Sequence, residues 1–373
     1  MPILNLVYLN HAGTSWPKPP EVLQAANAVL DTPPPDWGDL FHDAHQAVAE
    51  FFHVDHKRLL LTPSCTAALN LAVMDHTWSA GDRVLTSHFE HHAMQRNLAK
   101  LGEQGAGVTV IPQADGELLD LNALERELQR GGVRMVALTA ACNVTGQRLP
   151  IDDAIELAHR YDALTLIDGA QIAGWWDLNV TELGADLFTF AGHKGPQAPW
   201  GIGGLYVAEG ISMSCPSAAC EVPASGGPAS CSTMPGYCDA GSANISALAG
   251  LAAGCRWLNQ AEQHDRLQRA GDLMELLATQ LRTLPQLTIH HDAAREKKVP
   301  SLAITHQSIA AGELALRLKS RGIITSGGFQ CAPQAHLALE TQTNGVVRFS
   351  AGPCTTKAEI SAAGDALREI CSS

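Results

Sequence analysis

The chain has 373 residues, 46% of them hydrophobic and 17% charged, the balance of a packed globule built as one large domain and a smaller one. Its formal net charge of −13 argues against a non-specific nucleic-acid surface and favours a small-molecule ligand. No run of about 18 apolar residues offers a bilayer span, and the opening MPILNLVYLN lacks the pattern of a secretory peptide, so no membrane partner and a cytoplasmic location are expected.

In chain order, PEVLQAANAVL and DAHQAVAEFF carry apolar residues three and four apart and read as amphipathic helices. From there to residue 207 the pattern alternates. RVLTS, VTVIP, VRMVALTA, ALTLID, DLFTF and GGLYV read as short buried strands, while CTAALNLAVM, HAMQRNLAKLG, LNALERELQ and DDAIELAHRY read as the helices between them. Such alternation predicts a mainly parallel sheet covered by helices on both faces, with ligands collecting at the carboxyl ends of its strands.

A Ser/Pro/Gly-rich stretch follows and holds Cys215, Cys220, Cys231 and Cys238, whose spacing matches no paired metal-ligating pattern. A long functional loop is the economical reading, and no metal is expected. Beyond it, residues 244–281 form one very long helix or two joined helices. LTIHH, SLAITH and VVRFS are strands, and GELALRLKSRG and KAEISAAGDALREI are helices. The predicted architecture is therefore α/β: a large domain over 15–254, and a smaller α+β domain made of 1–14 and 255–373.

Four places carry chemistry. On composition alone Lys194 reads as a solvated surface lysine, but it lies in AGHKGPQAPW, a Gly/Pro connection between two apolar strands, where burial would turn a lysine into a usable amine nucleophile. Asp168 ends a hydrophobic strand in LTLIDGAQ, three residues before Gln171, either as a helix cap or as the partner of a positive group. LTPSCTAALNLAV leads through Ser64, Cys65 and Thr66 into an Ala-rich helix whose first turn suits a phosphate or is simply capped. His91 and His92 follow the strand RVLTS, where an imidazole could stack on a planar ring. Lysine, aspartate and phosphate cradle together would grip one flat heteroaromatic aldehyde.

Those residues resemble the pyridoxal-phosphate enzymes of the cysteine desulfurase and class V aminotransferase family, of fold-type I with its mainly parallel seven-stranded-type sheet, over nearly the whole chain from YLNHAGTSWPKPPEV to VVRFSAGPCTTKAEI. The resemblance implies pyridoxal 5′-phosphate as cofactor, with Lys194 of the GHK motif as its Schiff-base residue and His193 on its phosphate. It implies Asp168 at the pyridine nitrogen, Gln171 near the ring hydroxyl, His91 stacked on the ring, Asn143 of NVTG near cofactor and substrate, and Cys65 and Thr66 at the phosphate. Arg348 in VVRFS would bind the substrate carboxylate, and Ser242 in DAGSAN would reach the phosphate of the other subunit of a homodimer.

SGGFQCAPQAH is similar to the loop that carries the persulfide-forming cysteine of the desulfurase branch, which makes Cys331 the sulfur acceptor from L-cysteine and implies a sulfur-accepting partner protein. That branch has an arginine and a histidine where this chain has Ser326 and Gln330, and losing both cations should leave a smaller thiolate fraction. Ala191 replaces a serine, and Asn10, His11 and Gly13 alter the opening motif. The same resemblance admits a C–S lyase, selenocysteine lyase, aminotransferase or epimerase on this scaffold.

Overall fold

The computed structural model describes residues 6–76, 78–211, 213, 242–290 and 297–372, together with the backbone of 220–221, 230–231 and 236–237. Its main sheet orders eight strands as Gly236–Tyr237, Leu59–Thr62, Gly203–Val207, Leu187–Ala191, Leu164–Asp168, Val133–Thr139, Arg83–Ser87 and Gly107–Ile111. From Leu187–Ala191 outward to Gly107–Ile111 every pairing is parallel, while Gly203–Val207 runs antiparallel to both of its neighbours. Parallel strands of one sheet need crossover connections, and the helices Cys65–Met74, His92–Glu103, Leu121–Gln129 and Ile151–Arg160 lie in those between successive strands that run the same way.

Side chains alternate along the strands with period two. Leu166 and Leu187 face a core that includes Leu69, Met94 and Leu98. Ile167 and Phe188, one residue on, face the opposite core with Ile155 and Phe52, whose ring centroid lies 4.4 Å from that of Phe190. The sheet is thus covered on both sides. A separate antiparallel sheet orders Leu287–His290, Ser301–His306, Val346–Ser350 and Ser326–Gly328. It packs its own core of Leu277, Leu302, Leu314, Phe349 and Leu367. Val7–Tyr8 pairs with Ile323–Ile324 beside that second core.

Several local readings are corrected. The stretch after residue 244 is two helices, Ile245–Leu258 and Arg266–Leu281, separated by a 3-10 turn at Ala261–Gln263. VTVIP is the strand Gly107–Ile111, but among the described residues it is the edge of the sheet, paired with Arg83–Ser87 alone, and Gly107 and Val108 are exposed. Leu59–Thr62 is a further buried strand, too short before its Pro-Ser turn for its pattern to declare itself. Cys215 and Cys238 lie outside the described residues, as do the side chains of Cys220 and Cys231. Among the described residues no helix is long and apolar enough to cross a membrane.

Candidate active site

Chain direction brings the chemistry to one edge. Leu59–Thr62, Arg83–Ser87, Val133–Thr139, Leu164–Asp168 and Leu187–Ala191 all run the same way, so their carboxyl ends deliver Ser64 to Thr66, His91, Asn143, Asp168 and Lys194 to one cavity of about 320 Å³. Gln171, His193, Cys331 and Arg348 line it as well. Ser242 does not: it is exposed, two residues before Asn244, which caps the helix Ile245–Leu258.

The loops carrying Asp168 and Lys194 touch backbone to backbone. A Cβ on Gly195 would lie 2.0 Å from the Ala173 carbonyl oxygen, and one on Gly174, whose φ is +79°, would lie 2.3 Å from the Gly195 carbonyl carbon. Only glycine lets the two strands' loops close to this distance. Asp168 is 2% exposed. Its Oδ1 accepts the N–H of Ala170 at 2.9 Å and the thiol of Cys65 at 3.6 Å, so among the described residues an amide and a thiol, and no hydrogen-bonded cation, meet it. Burial raises its pKa, partly offset by the Ala170 amide and by Lys194. Lys194 responds in the opposite sense: burial lowers its pKa, and Asp168 pulls it back.

His91 caps the helix His92–Glu103, its Nδ1 accepting the Ala93 N–H at 3.1 Å. Burial and then Lys194 push its pKa down to about 3, so the ring is neutral at ordinary pH. Ser64 caps the helix Cys65–Met74 by accepting from the Ala67 N–H at 3.2 Å. The first-turn amides of that helix, beside exposed Thr66, are the natural anion cradle of the cavity. The Cys65 side chain, by contrast, points at Asp168 and at Thr189 Oγ1, 3.5 Å away.

Arg348 is 4% exposed in the middle of Val346–Ser350. Its Nη1 donates to the Asn143 carbonyl and its Nη2 to Asn10 Oδ1 at 3.2 Å. Among the described residues, its Nε and Asn143 Oδ1 are both buried with no hydrogen-bond partner, the mark of a site completed by something else. Asn143 Nδ2 donates to the Gln330 carbonyl, and Gln330 Nε2 reaches the carbonyls of Ser326 and Val346, each at 3.1 Å. Gln330 and exposed Cys331 both adopt left-handed backbone, with φ of 44° and 58°. The His92 N–H holds the Cys331 carbonyl at 2.7 Å.

Sequence reasoning passed over the brace formed by the N-terminal segment. Ala12 O accepts from Gln171 Nε2 at 3.3 Å, Thr14 Oγ1 meets His193 Nδ1 at 3.1 Å, and Lys18 Nζ donates to Ser15 Oγ at 2.6 Å and the His193 carbonyl at 3.1 Å. Burial lowers the Lys18 pKa to about 8, and burial with Lys194 and Lys18 lowers that of His193 to about 4. The altered opening motif was the only signal for these contacts.

A lysine and an aspartate on neighbouring strand ends, over a helix N-terminus and facing a buried arginine, define an enzyme of fold-type I. The chain belongs to the class-V aminotransferase family, whose model matches residues 7–362. It is 32% identical over 330 residues to a probable cysteine desulfurase of Chlamydia trachomatis, an alignment covering 84% of this chain and 79% of the relative. The cysteine desulfurase of Thermococcus onnurineus, solved in its apo form, superposes with a TM-score of 0.90 at 24% identity, over 98% of this chain and 95% of that one. The cysteine desulfurase CsdA of Escherichia coli, in an S-sulfonic acid form, gives 0.88 at 25% identity, over 99% and 96%.

Proposed function

We propose that this chain is a pyridoxal-phosphate-dependent cysteine desulfurase that converts L-cysteine to L-alanine and leaves the sulfur as a persulfide on Cys331. The observation that carries the reading is an exposed thiol on a left-handed turn at the rim of the cavity that holds Lys194, Asp168 and Arg348. The donor set fits the cofactor. Asp168 would face its pyridine nitrogen, and its buried carboxylate, which no described cation bonds, is completed by a protonated ring. The first turn of Cys65–Met74, Thr66 and His193 would hold its phosphate, Gln171 its ring hydroxyl, and His91 its ring face.

Bound there, pyridoxal phosphate supplies an aldehyde for the substrate amine and an electron-withdrawing ring that acidifies the substrate Cα. The rest of the work falls to the chain. Arg348 fixes the substrate carboxylate through its guanidinium, with Asn143 beside it. Lys194, kept from holding its proton as tightly as a solvated lysine, takes the Cα proton at Nζ. The Cys331 thiolate then attacks the substrate sulfur: an S–S bond forms, the C–S bond breaks, its electron pair stays on Cβ and takes a proton, the proton held on Lys194 Nζ returns to Cα, and alanine leaves. The outer sulfur of the persulfide then passes to the thiolate of an acceptor protein, with the Cys331 thiolate as leaving group.

Ser242, exposed beyond the cavity, is assigned to the phosphate of a second chain, which makes the working form a homodimer. The chain is divided into residues 15–254 and residues 1–14 with 255–373; the second core, drawn only from Val7, Leu9 and residues 270–370, supports this, while Cys255, Trp257, Leu258, Val299, Ala332 and Val346 pack with the first core. The enzyme is assigned to the cytoplasm. Incubation of the loaded protein with L-cysteine and excess dithiothreitol, which reduces the persulfide, tests the reaction: alanine and sulfide in equal amounts support desulfuration, whereas pyruvate and ammonia would replace it with C–S lyase chemistry.

A further inference from the structure

His91, His92 and Cys331 each present a ligand atom, and these atoms lie within 4.8 Å of one another. The group is assembled by two elements. The histidines are the cap and first residue of the helix His92–Glu103, with ring centroids 4.6 Å apart. Cys331 is drawn to them from the far domain by the hydrogen bond from the His92 N–H to its own carbonyl. Gln330, clamped through Nε2 to two carbonyls, keeps the thiol loop from drifting. His92 has no part in the cofactor or substrate contacts assigned above, yet it completes this cluster.

We propose that His91, His92 and Cys331 form a binding site for a thiophilic divalent cation of the zinc class, and that its occupation reversibly withdraws the Cys331 thiol from sulfur transfer. Two imidazoles and one thiolate are the donors such an ion selects, and three protein ligands leave the fourth position to water. Bonds of about 2.0–2.3 Å in a tetrahedron hold donors roughly 3.3–3.8 Å apart, so the cluster must close by about 1 Å. The exposed Cys331 side chain can do that by turning at χ1. Binding exchanges the thiol proton for the metal and releases it to solvent. His91 must also give up its hydrogen bond from Ala93, because Nδ1 takes the ring proton when Nε2 takes the metal.

The inhibitory consequence rests on the desulfurase reading; the binding does not, and it is tested without turnover. Holoenzyme is treated with zinc chloride, bound zinc is measured after dialysis, and alkylation of Cys331 by iodoacetamide is followed by peptide mass spectrometry. Zinc should protect Cys331, and chelator should restore its reactivity. Losing a direct ligand should cost no less than the roughly 10- to 100-fold lost with a second-shell partner. His92→Ala and His92→Gln should therefore need at least about tenfold more zinc for protection, with unliganded alkylation and alanine formation unchanged. Cys331→Ser should bind one zinc fewer per chain. Zinc that fails to slow alkylation, or that protects both His92 variants as well as the native protein, overturns the proposal. Protection without any alanine formation would instead leave the metal site standing and remove the desulfurase reading.

Discussion

Gly195→Ala probes whether the close approach of two loops sets the active-site geometry. The added Cβ would stand 2.0 Å from the Ala173 carbonyl oxygen, 3.1 Å from its carbon and 3.3 Å from Gly174 Cα. An unstrained carbon–oxygen contact starts near about 3.3 Å, so one of the loops must retreat by about 1.3 Å. Neither can do so alone, because one carries Lys194 and the other leads back to Asp168 and Gln171. Overpacking of this kind costs about 1–3 kcal/mol, and a 1 Å misplacement at a reacting group costs roughly 10²-fold in rate. Gly312→Ala is the control, since nothing lies within 4 Å of its added Cβ on the exposed side of Ala311–Lys319, and it should stabilise by about 0.4–1 kcal/mol. Urea unfolding and a pyridoxal-phosphate titration read by absorbance give both quantities. If Gly195→Ala unfolds within about 0.5 kcal/mol of the native protein and takes up cofactor unchanged, the loop contact does not position the site.

Lys194→Ala should abolish the borohydride-fixed attachment of pyridoxal phosphate to the protein, and attachment at a different lysine would overturn its assignment. Arg348→Lys removes the planar fork; with charged hydrogen bonds contributing about 1.5–3 kcal/mol, KM for L-cysteine should rise about 10- to 100-fold while the cofactor spectrum stays the same, and an unchanged KM would refute the clamp. Glu90 is fully buried behind His91, accepts from Ser87 Oγ at 2.6 Å, and has its pKa raised by burial from 4.5 to about 8. Its protonated form therefore stabilises the fold fully below pH 4.5, and that contribution drains away as pH climbs to 8. Urea unfolding at the two ends of this window should show a smaller loss of stability for Glu90→Gln than for the native protein, and equal losses would refute the shift.

The parallel sheet was legible because its strands are short apolar runs separated by helical periods, and the ligand edge follows from strand direction alone. Lys194 and Asp168 stood out as charges at the ends of apolar strands. Cys331 stood out less by its own chemistry than by the similarity of SGGFQCAPQAH to a persulfide-bearing loop. The polar brace was hidden: Asn10, Thr14 and Lys18 lie more than 170 residues from Arg348 and His193 in the chain, and no local periodicity encodes such pairings. The Cys65 thiol was equally opaque, since a sequence places a residue at a helix start but does not say that its side chain turns inward to Asp168. The His91, His92 and Cys331 cluster needs two loops from different sheets and becomes visible only when both are placed.

The central claim is that sulfur passes through Cys331, and a single turnover reads it directly. The loaded enzyme is mixed with less than one equivalent of L-cysteine labelled in its sulfur, quenched by alkylation and digested. The label should lie as one extra sulfur on the peptide carrying Cys331, with one alanine formed per label, and Cys331→Ala should form neither the persulfide nor alanine at the native rate. Alanine produced at that rate by Cys331→Ala, or label on any other cysteine, would contradict the claim.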